Sequence, residues 1–366
     1  MEDKAKPAKR GRDADACVSA DPLAPPVEVV PRHKVGRHVI YSHHADAYDV
    51  LMSRHDCGAV ATAINRIVDE VVARKEALSP ATAPRALRVA DVGCGTGRLL
   101  KMVLPRCDVA IAMDKEPTML SRCVAAVKAI RPLRGDGPLP STEWLAALRS
   151  PPTHGIALCA ASVSLEDLTS SEDYVCTCAS CAVDIEVKPA DATKCWKAAA
   201  SQQTPRRLRT ADPLAVASVF SQPADGVDII LCGWALSFVM TAHWGKEPVW
   251  HAAVKAVVLS WERRLLDRST GGALIVIETL GNFSDEPSRR NTLHSFLESD
   301  CGFERQTWMR TDYSFADQSE AERLCTFFFG SQCAQRVLLD HLGKPGKVVL
   351  KETTGMWVKF VAPRAL

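Results

Sequence analysis

The stretch Leu87-Arg88-Val89-Ala90-Asp91-Val92-Gly93-Cys94-Gly95-Thr96-Gly97-Arg98-Leu99-Leu100 constrains the fold more than any other part of the chain. It reads as a short apolar strand, a glycine turn and the opening of a helix. Lacking a Cβ, Gly93, Gly95 and Gly97 let the backbone bend sharply and come close to a ligand. A helix N-terminus behind such a turn offers unpaired N–H groups and partial positive charge to an anion. The spacing is G-x-G-x-G, with Asp91 two positions ahead of the first glycine. The dinucleotide fingerprint needs G-x-G-x-x-G, and position 98 is arginine.

A second apolar strand, Val109 to Met113, ends in Asp114 with Lys115 beside it. An acidic side chain at the tip of the second strand of such a unit accepts both ribose hydroxyl protons. Asp114 also suits an N-cap for the helical run starting near Pro117. Together with Asp114, the glycine block resembles motif I of the class I S-adenosylmethionine-dependent methyltransferases, in a type 11-like form. The resemblance implies a Rossmann-like α/β fold. Its sheet would be seven-stranded and mostly parallel, with an antiparallel edge strand and helices on both faces. It implies S-adenosyl-L-methionine as cofactor, held by Asp91, Gly93, Cys94, Gly95, Gly97, Asp114 and Lys115.

Other blocks extend the resemblance over roughly residues 41 to 361. Tyr41-Ser42-His43-His44-Ala45-Asp46-Ala47-Tyr48-Asp49 is similar to the family's entry block, which lies over the cofactor and puts Tyr48 on the substrate side. An ordinary packing helix with Tyr48 in the core fits the same residues. Val60, Ile64, Ile67, Val68 and Val71 follow on one helical face. Arg206 to Leu214 resembles the block closing the third strand, which gives Asp212 the adenine amino group, with Asp136 as the rival position. Asp228 to Phe238 is similar to motif IV, so Gly233 and Trp234 would face both cofactor and acceptor. It has no Asn/Asp-Pro-Pro-Tyr tetrapeptide, which argues against the branch that methylates amino groups of adenine or glutamine.

Gly271-Gly272 and a fifth strand, Ala273 to Ile277, lead into Glu278-Thr279-Leu280-Gly281. With Arg310-Thr311-Asp312-Tyr313 and Phe327-Phe328-Phe329-Gly330, this looks like a branch of bacterial-type methyltransferases, which implies no particular acceptor. His243, Glu278, Tyr313 and Glu352 are the polar groups expected near the rim, and none is assigned as a base. The stretch from 317 to 342 is expected to form one long helix serving as a lid or substrate wall.

Residues 1–32, rich in Pro, Ala and charge, read as a disordered tail. Residues 33–86 form a helical N-terminal cap, and 87–366 the methyltransferase domain, interrupted at about 133–205 by a Cys-rich insertion. Within it, Cys176, Cys178, Cys181 and Cys195 have a spacing that suits either a zinc ion or unliganded thiols. Fourteen scattered cysteines behind a polar N-terminus point to a reducing, cytoplasmic setting. The cluster Lys4, Lys6, Lys9, Arg10 and Arg12 fits a nuclear-import signal or a solvated tail. A net charge of +2 gives no support to a nucleic-acid or membrane partner. A methyltransferase-fold scaffold that binds cofactor and docks a protein partner through the insertion is the second reading. A nicotinamide dehydrogenase fits poorly, because the glycine spacing is wrong and no Tyr-x-x-x-Lys pair follows the fourth strand.

Overall fold

The computed structural model describes residues 41, 43–78, 87–130, 157–162, 177–178, 183–184, 226–243, 246–267, 269–288 and 292–363. Arg88–Val92 (β1) is buried at every position, as a strand covered on both faces must be. It lies parallel between Val109–Asp114 (β2) and Ile229–Gly233 (β6). Ala157–Ser162 (β3) adds in parallel beyond β2, followed by the two-residue strands Thr177–Cys178 (β4) and Val183–Asp184 (β5). On the other side come Gly272–Asn282 (β7), Glu352–Val361 (β11) and Glu304–Arg310 (β8). The order is β5-β4-β3-β2-β1-β6-β7-β11-β8.

The expected Rossmann-like α/β class is what the chain adopts. Seven of the nine strands form the expected mostly parallel core, and β4 and β5 extend its far edge. Two expectations change. Within the seven-strand core the antiparallel strand is not at the edge: β11 lies antiparallel between β7 and β8, while beyond β3 the short β4 also runs antiparallel. The third strand is Ala157–Ser162, inside the stretch read as an insertion, so the Arg206 to Leu214 block is not needed to supply it. Asp136 and Asp212 lie outside the described residues.

Side chains alternate across the sheet with the period of the pleat. Ala90, Val92, Ile111, Ile230 and Val276 face one layer, with Leu236, Val254, Val257 and Leu293. That layer holds helices Leu236–Ala242 (α5), Glu247–Ser260 (α6) and Thr292–Ser299 (α7). Val89, Ala110, Leu231 and Ile275 face the other, with Ile64, Val68, Leu100 and Val127. Its helices are Gly58–Leu78 (α2), Arg98–Val103 (α3) and Pro117–Ile130 (α4). The Val60–Val71 face anticipated in the sequence is the buried face of α2.

A third apolar cluster sits at the carboxyl rim of the parallel strands. It joins Ala45–Ser53 (α1) to Tyr313–Phe315 (β9), Gln318–Phe329 (α8), Ser331–Asp340 (α9) and Val348–Leu350 (β10) through Leu51, Phe315, Leu324, Phe328, Val337 and Leu350. The expected single long helix is thus two, broken at Gly330, where φ is 93°. Phe328 belongs to this cluster, with Phe327 and Phe329 packed beside it. Arg54 donates to Glu320 at 2.8 Å and ties α1 to α8.

At the opposite end of the sheet, charges are buried. The Asp228 carboxylate accepts from the Arg88 N–H at 2.8 Å and from the Arg88 guanidinium at 3.1 Å, and also pairs with Lys75. Arg88 reaches Asp267 as well. Burial opposes the Arg88 charge, but the two carboxylates outweigh it and keep the guanidinium protonated. This knot joins the starts of β1, β6 and β7. Removing one member strands its partners in an apolar setting, so Asp228→Ala should cost about 3–5 kcal/mol in urea unfolding. A loss under about 1 kcal/mol would mean water reaches this end of the sheet.

Candidate cofactor and acceptor site

The turn after β1 is built on three left-handed glycines, with φ of 72° at Gly93, 55° at Gly95 and 81° at Gly97. Two of them are also locked by packing. A Cβ on Gly93 would lie 2.5 Å from the Ala235 Cβ, and one on Gly97 would lie 2.6 Å from the Cys123 Sγ. Gly95 is different. A Cβ there would meet only the Tyr48 side chain, in ordinary contact, with the hydroxyl 3.9 Å away.

Two carboxylates fix this turn from below and from the side. Asp91 is buried, and its Oδ2 accepts from the Leu100 N–H at 3.2 Å, tying β1 to the first turn of α3. Burial pushes its carboxyl up to about 7, against the pull of that hydrogen bond. Asp114 ends β2. Its Oδ2 accepts from the Gly95 N–H at 2.7 Å and its Oδ1 from the Glu116 N–H at 2.9 Å. Burial raises the Asp114 carboxyl as well, while the two N–H groups hold it down. Each Asp114 oxygen keeps a second lone pair, which is the capacity a pair of hydroxyl donors requires.

The Gly93 and Cys94 N–H groups both donate to the Met113 carbonyl, at 2.8 and 2.9 Å, so the turn is clipped to β2. The Cys94 thiol is buried against Cys123 and pushed well above the usual thiol range, by burial first. It is inert packing. Lys115 follows on the surface.

At the tip of β6, Gly233 lets Leu99 approach, since a Cβ there would sit 2.4 Å from the Leu99 Cδ1. Trp234 has φ 53°, a strained conformation for a bulky residue. Its N–H donates to the Ile277 carbonyl at 2.7 Å. The Arg98 guanidinium lies over the Trp234 ring, 3.9 Å from its centroid. The indole Nε1 is buried with no hydrogen-bond partner among the described residues.

The expected acceptor-side residues divide. Tyr48 lies over Gly95, edge-on to Tyr41 and Phe328. Tyr313 is buried at the same rim and stacks on His55, with ring centroids 4.1 Å apart. Glu278 instead closes the start of α5, accepting from the Ser237 N–H at 3.0 Å. His243 caps the other end of α5, about 10 Å along the helix. Of the four expected zinc ligands, Cys176, Cys181 and Cys195 lie outside the described residues, as does the side chain of Cys178 in β4. Among the described residues no group of three or more His, Cys, Asp or Glu could hold a metal ion. No described helix is long and apolar enough to cross a membrane.

A buried chain of polar groups at this rim was not anticipated in the sequence. His55 is fully buried, and its Nε2 lies 3.2 Å from the Glu352 Oε1. Its Nδ1 meets Arg98 Nη1, with the Cys57 Sγ at 3.6 Å. Burial lowers the His55 pKa and the Arg98 charge adds to this, against the pull of Glu352. The imidazole is therefore neutral at pH 7, with Nδ1 accepting from Arg98 and Nε2 beside the Glu352 carboxylate but out of line for a hydrogen bond. Thr311 extends the chain, its Oγ1 lying 3.4 Å from the Glu352 Oε1 and 2.7 Å from the Thr354 Oγ1.

No protein-family model matches the chain, and no curated protein matches it. Among solved structures it is similar to magnesium protoporphyrin IX methyltransferase from Synechocystis with bound S-adenosylmethionine, at 10% identity over 90% of this chain and 99% of that one, TM-score 0.35. It is similar to N-methyltransferase NodS from Bradyrhizobium japonicum in complex with S-adenosyl-L-homocysteine, at 9% identity over 81% and 85%, TM-score 0.31. Precorrin 8w decarboxylase from Methanobacterium thermoautotrophicum is also similar, at 12% identity over 80% and 90%, TM-score 0.31. At these scores the likenesses assign no activity to this chain.

Glu278 gives a pH dependence with a definite sign. Burial pushes its carboxyl up to about 7 from 4.5. The folded chain then holds a proton that the unfolded chain releases between those values, so stability falls as pH rises through that window. Glu278→Gln keeps an acceptor for Ser237 and cannot ionise. Its melting temperature should decline less than that of the wild type from about pH 5 to about pH 8, by the equivalent of roughly 2–3 kcal/mol. Parallel profiles would mean that Glu278 is already ionised in the fold.

Proposed function

We propose that the chain is an S-adenosylmethionine-dependent methyltransferase. The observation that carries this reading is the left-handed Gly95, with φ of 55°, whose N–H donates to the Asp114 carboxylate at 2.7 Å in a turn that runs from β1 into α3. The residues fit the cofactor. Asp114 at the end of β2 would take the ribose hydroxyls, and the Gly93–Gly97 turn would pass under the amino-acid end. Gly233 and Trp234 at the tip of β6 would border the methyl group. By the family resemblance, Asp212 would take the adenine amino group.

When bound, S-adenosylmethionine supplies an electrophilic methyl group on a sulfonium whose leaving group is a neutral thioether. The chain has to hold an acceptor atom in line and keep water out. Residues of α1, α8 and β9 provide apolar cover at the rim, with Tyr48 over Gly95 and Phe328 behind it. Asp91 is too deep to touch a ligand and serves by fixing the turn. The division into a tail at 1–32, a cap at 33–86 and a transferase domain with a Cys-rich excursion belongs to the same proposal, as does a protein partner for that excursion.

Calorimetric titration of S-adenosylhomocysteine into the full chain tests the reading. The wild type should bind, and Asp114→Ala should bind at least about tenfold more weakly, having lost both the ribose acceptors and the clamp on Gly95. A folded wild type that gives no heat with this ligand would overturn the assignment.

A further inference from the structure

Among the described residues the Arg98 guanidinium makes one side-chain hydrogen bond. One of its N–H groups meets the neutral His55 Nδ1, and its face rests on Trp234 at 3.9 Å. A guanidinium has five N–H donors. Among the described residues no carboxylate stands within ion-pair distance of Arg98, and Glu352 reaches it only through the His55 ring. Beside it the Trp234 Nε1–H has no partner either. Tyr48 lies over Gly95, three residues before Arg98, with its hydroxyl 3.9 Å from the Gly95 Cβ position; the Arg98 charge pulls its hydroxyl pKa down against burial.

The position of this donor group follows from the sheet. Asp114 ends β2 on one side of β1, while Trp234 follows β6 on the other. A cofactor held through its ribose by Asp114 and along the glycine turn would point its methyl end toward β6, which would put Arg98 and Trp234 on the acceptor side. They are donors only, and one of them carries a charge that meets a single hydrogen-bond partner among the described residues.

We propose that Arg98, Trp234 and Tyr48 form an anion subsite that receives a carboxylate of the methyl acceptor. The inference rests on the transferase reading for its substrate and deepens it. Arg98 offers its remaining edge for a two-point hydrogen bond to the carboxylate, and Trp234 adds a third donor. His55 and Glu352 are positioning residues. Glu352 orients the imidazole, and the imidazole keeps Arg98 turned toward Trp234.

The experiment uses the full chain and benzoate as carboxylate probe, with benzamide as its neutral counterpart. Calorimetry should show benzoate binding to protein saturated with S-adenosylhomocysteine, and benzamide binding at least about tenfold more weakly. Arg98→Gln should lose about 10- to 100-fold in benzoate affinity and leave S-adenosylhomocysteine affinity within about twofold. Arg98→Lys, which keeps the charge and loses the fork, should fall between, and circular dichroism on both variants reports folding.

Three results would overturn the proposal: no benzoate binding by the wild type, equal binding of benzoate and benzamide, or unchanged benzoate affinity in folded Arg98→Gln. A fourth arm separates the two sources of a carboxylate. If Arg98→Gln weakens S-adenosylhomocysteine but not 5′-methylthioadenosine, which lacks the amino-acid end, Arg98 serves the cofactor and the proposal fails. If the wild type binds neither adenosine compound, the transferase reading fails instead. The benzoate titration of ligand-free protein then decides the anion subsite alone.

Discussion

A carboxyl group in the middle of an apolar sheet sets the conditions for the rest of this rim. Asp91 occupies a position where the alternation of β1 would otherwise put another aliphatic side chain. Its reward is the Leu100 N–H, one of the donors that the start of α3 leaves unpaired. That single contact fixes how far the chain travels between strand and helix. The glycines between them then have little choice, because Ala235 and Cys123 stand where two of their side chains would be. Gly95 is the least crowded of the three, with only the Tyr48 side chain over it.

Much of this was legible in the sequence, for reasons that are local. β1, β2, β6 and β7 are built on mostly apolar runs that lead into a glycine or an acid, and the turn announces itself by spacing. The third strand was misread for an equally physical reason. Ala157-Leu158-Cys159-Ala160-Ala161-Ser162 is mostly small and has none of the β-branched and aromatic residues that mark a strand. The Arg206 to Leu214 stretch, which lies outside the described residues, carries the stronger sequence resemblance to a strand end. Parallel pairing with β2 decides the matter, and pairing is not written in any window of residues.

The polar chain at the rim was illegible for a different reason. His55 follows α1, Arg98 opens α3 and Glu352 opens β11, and nothing in their spacing suggests contact. Arg98 was visible as the residue that spoils a dinucleotide fingerprint, yet its role depends on a histidine 43 positions away. Glu352 was noticed as a polar group near the rim, without its partner. Gly233 and Trp234 were found through the general rule that ligands gather where parallel strands end. The strain at Trp234, with its left-handed backbone, had no sequence signature.

The place of β11 has a consequence for how the chain folds. This strand is made after β7 and β8, yet it lies between them and pairs with both. Until it arrives, β7 and β8 must wait on either side of a vacant slot with their hydrogen-bonding edges exposed. Such edges invite pairing with other chains. The contact of Arg54 with Glu320, 266 residues apart, makes the rim a product of the same late stage. Contacts of this range form slowly, since the loop between them must close first. During synthesis the sheet thus stays open to mispairing until its last strand closes it, and the rim helices share in the delay.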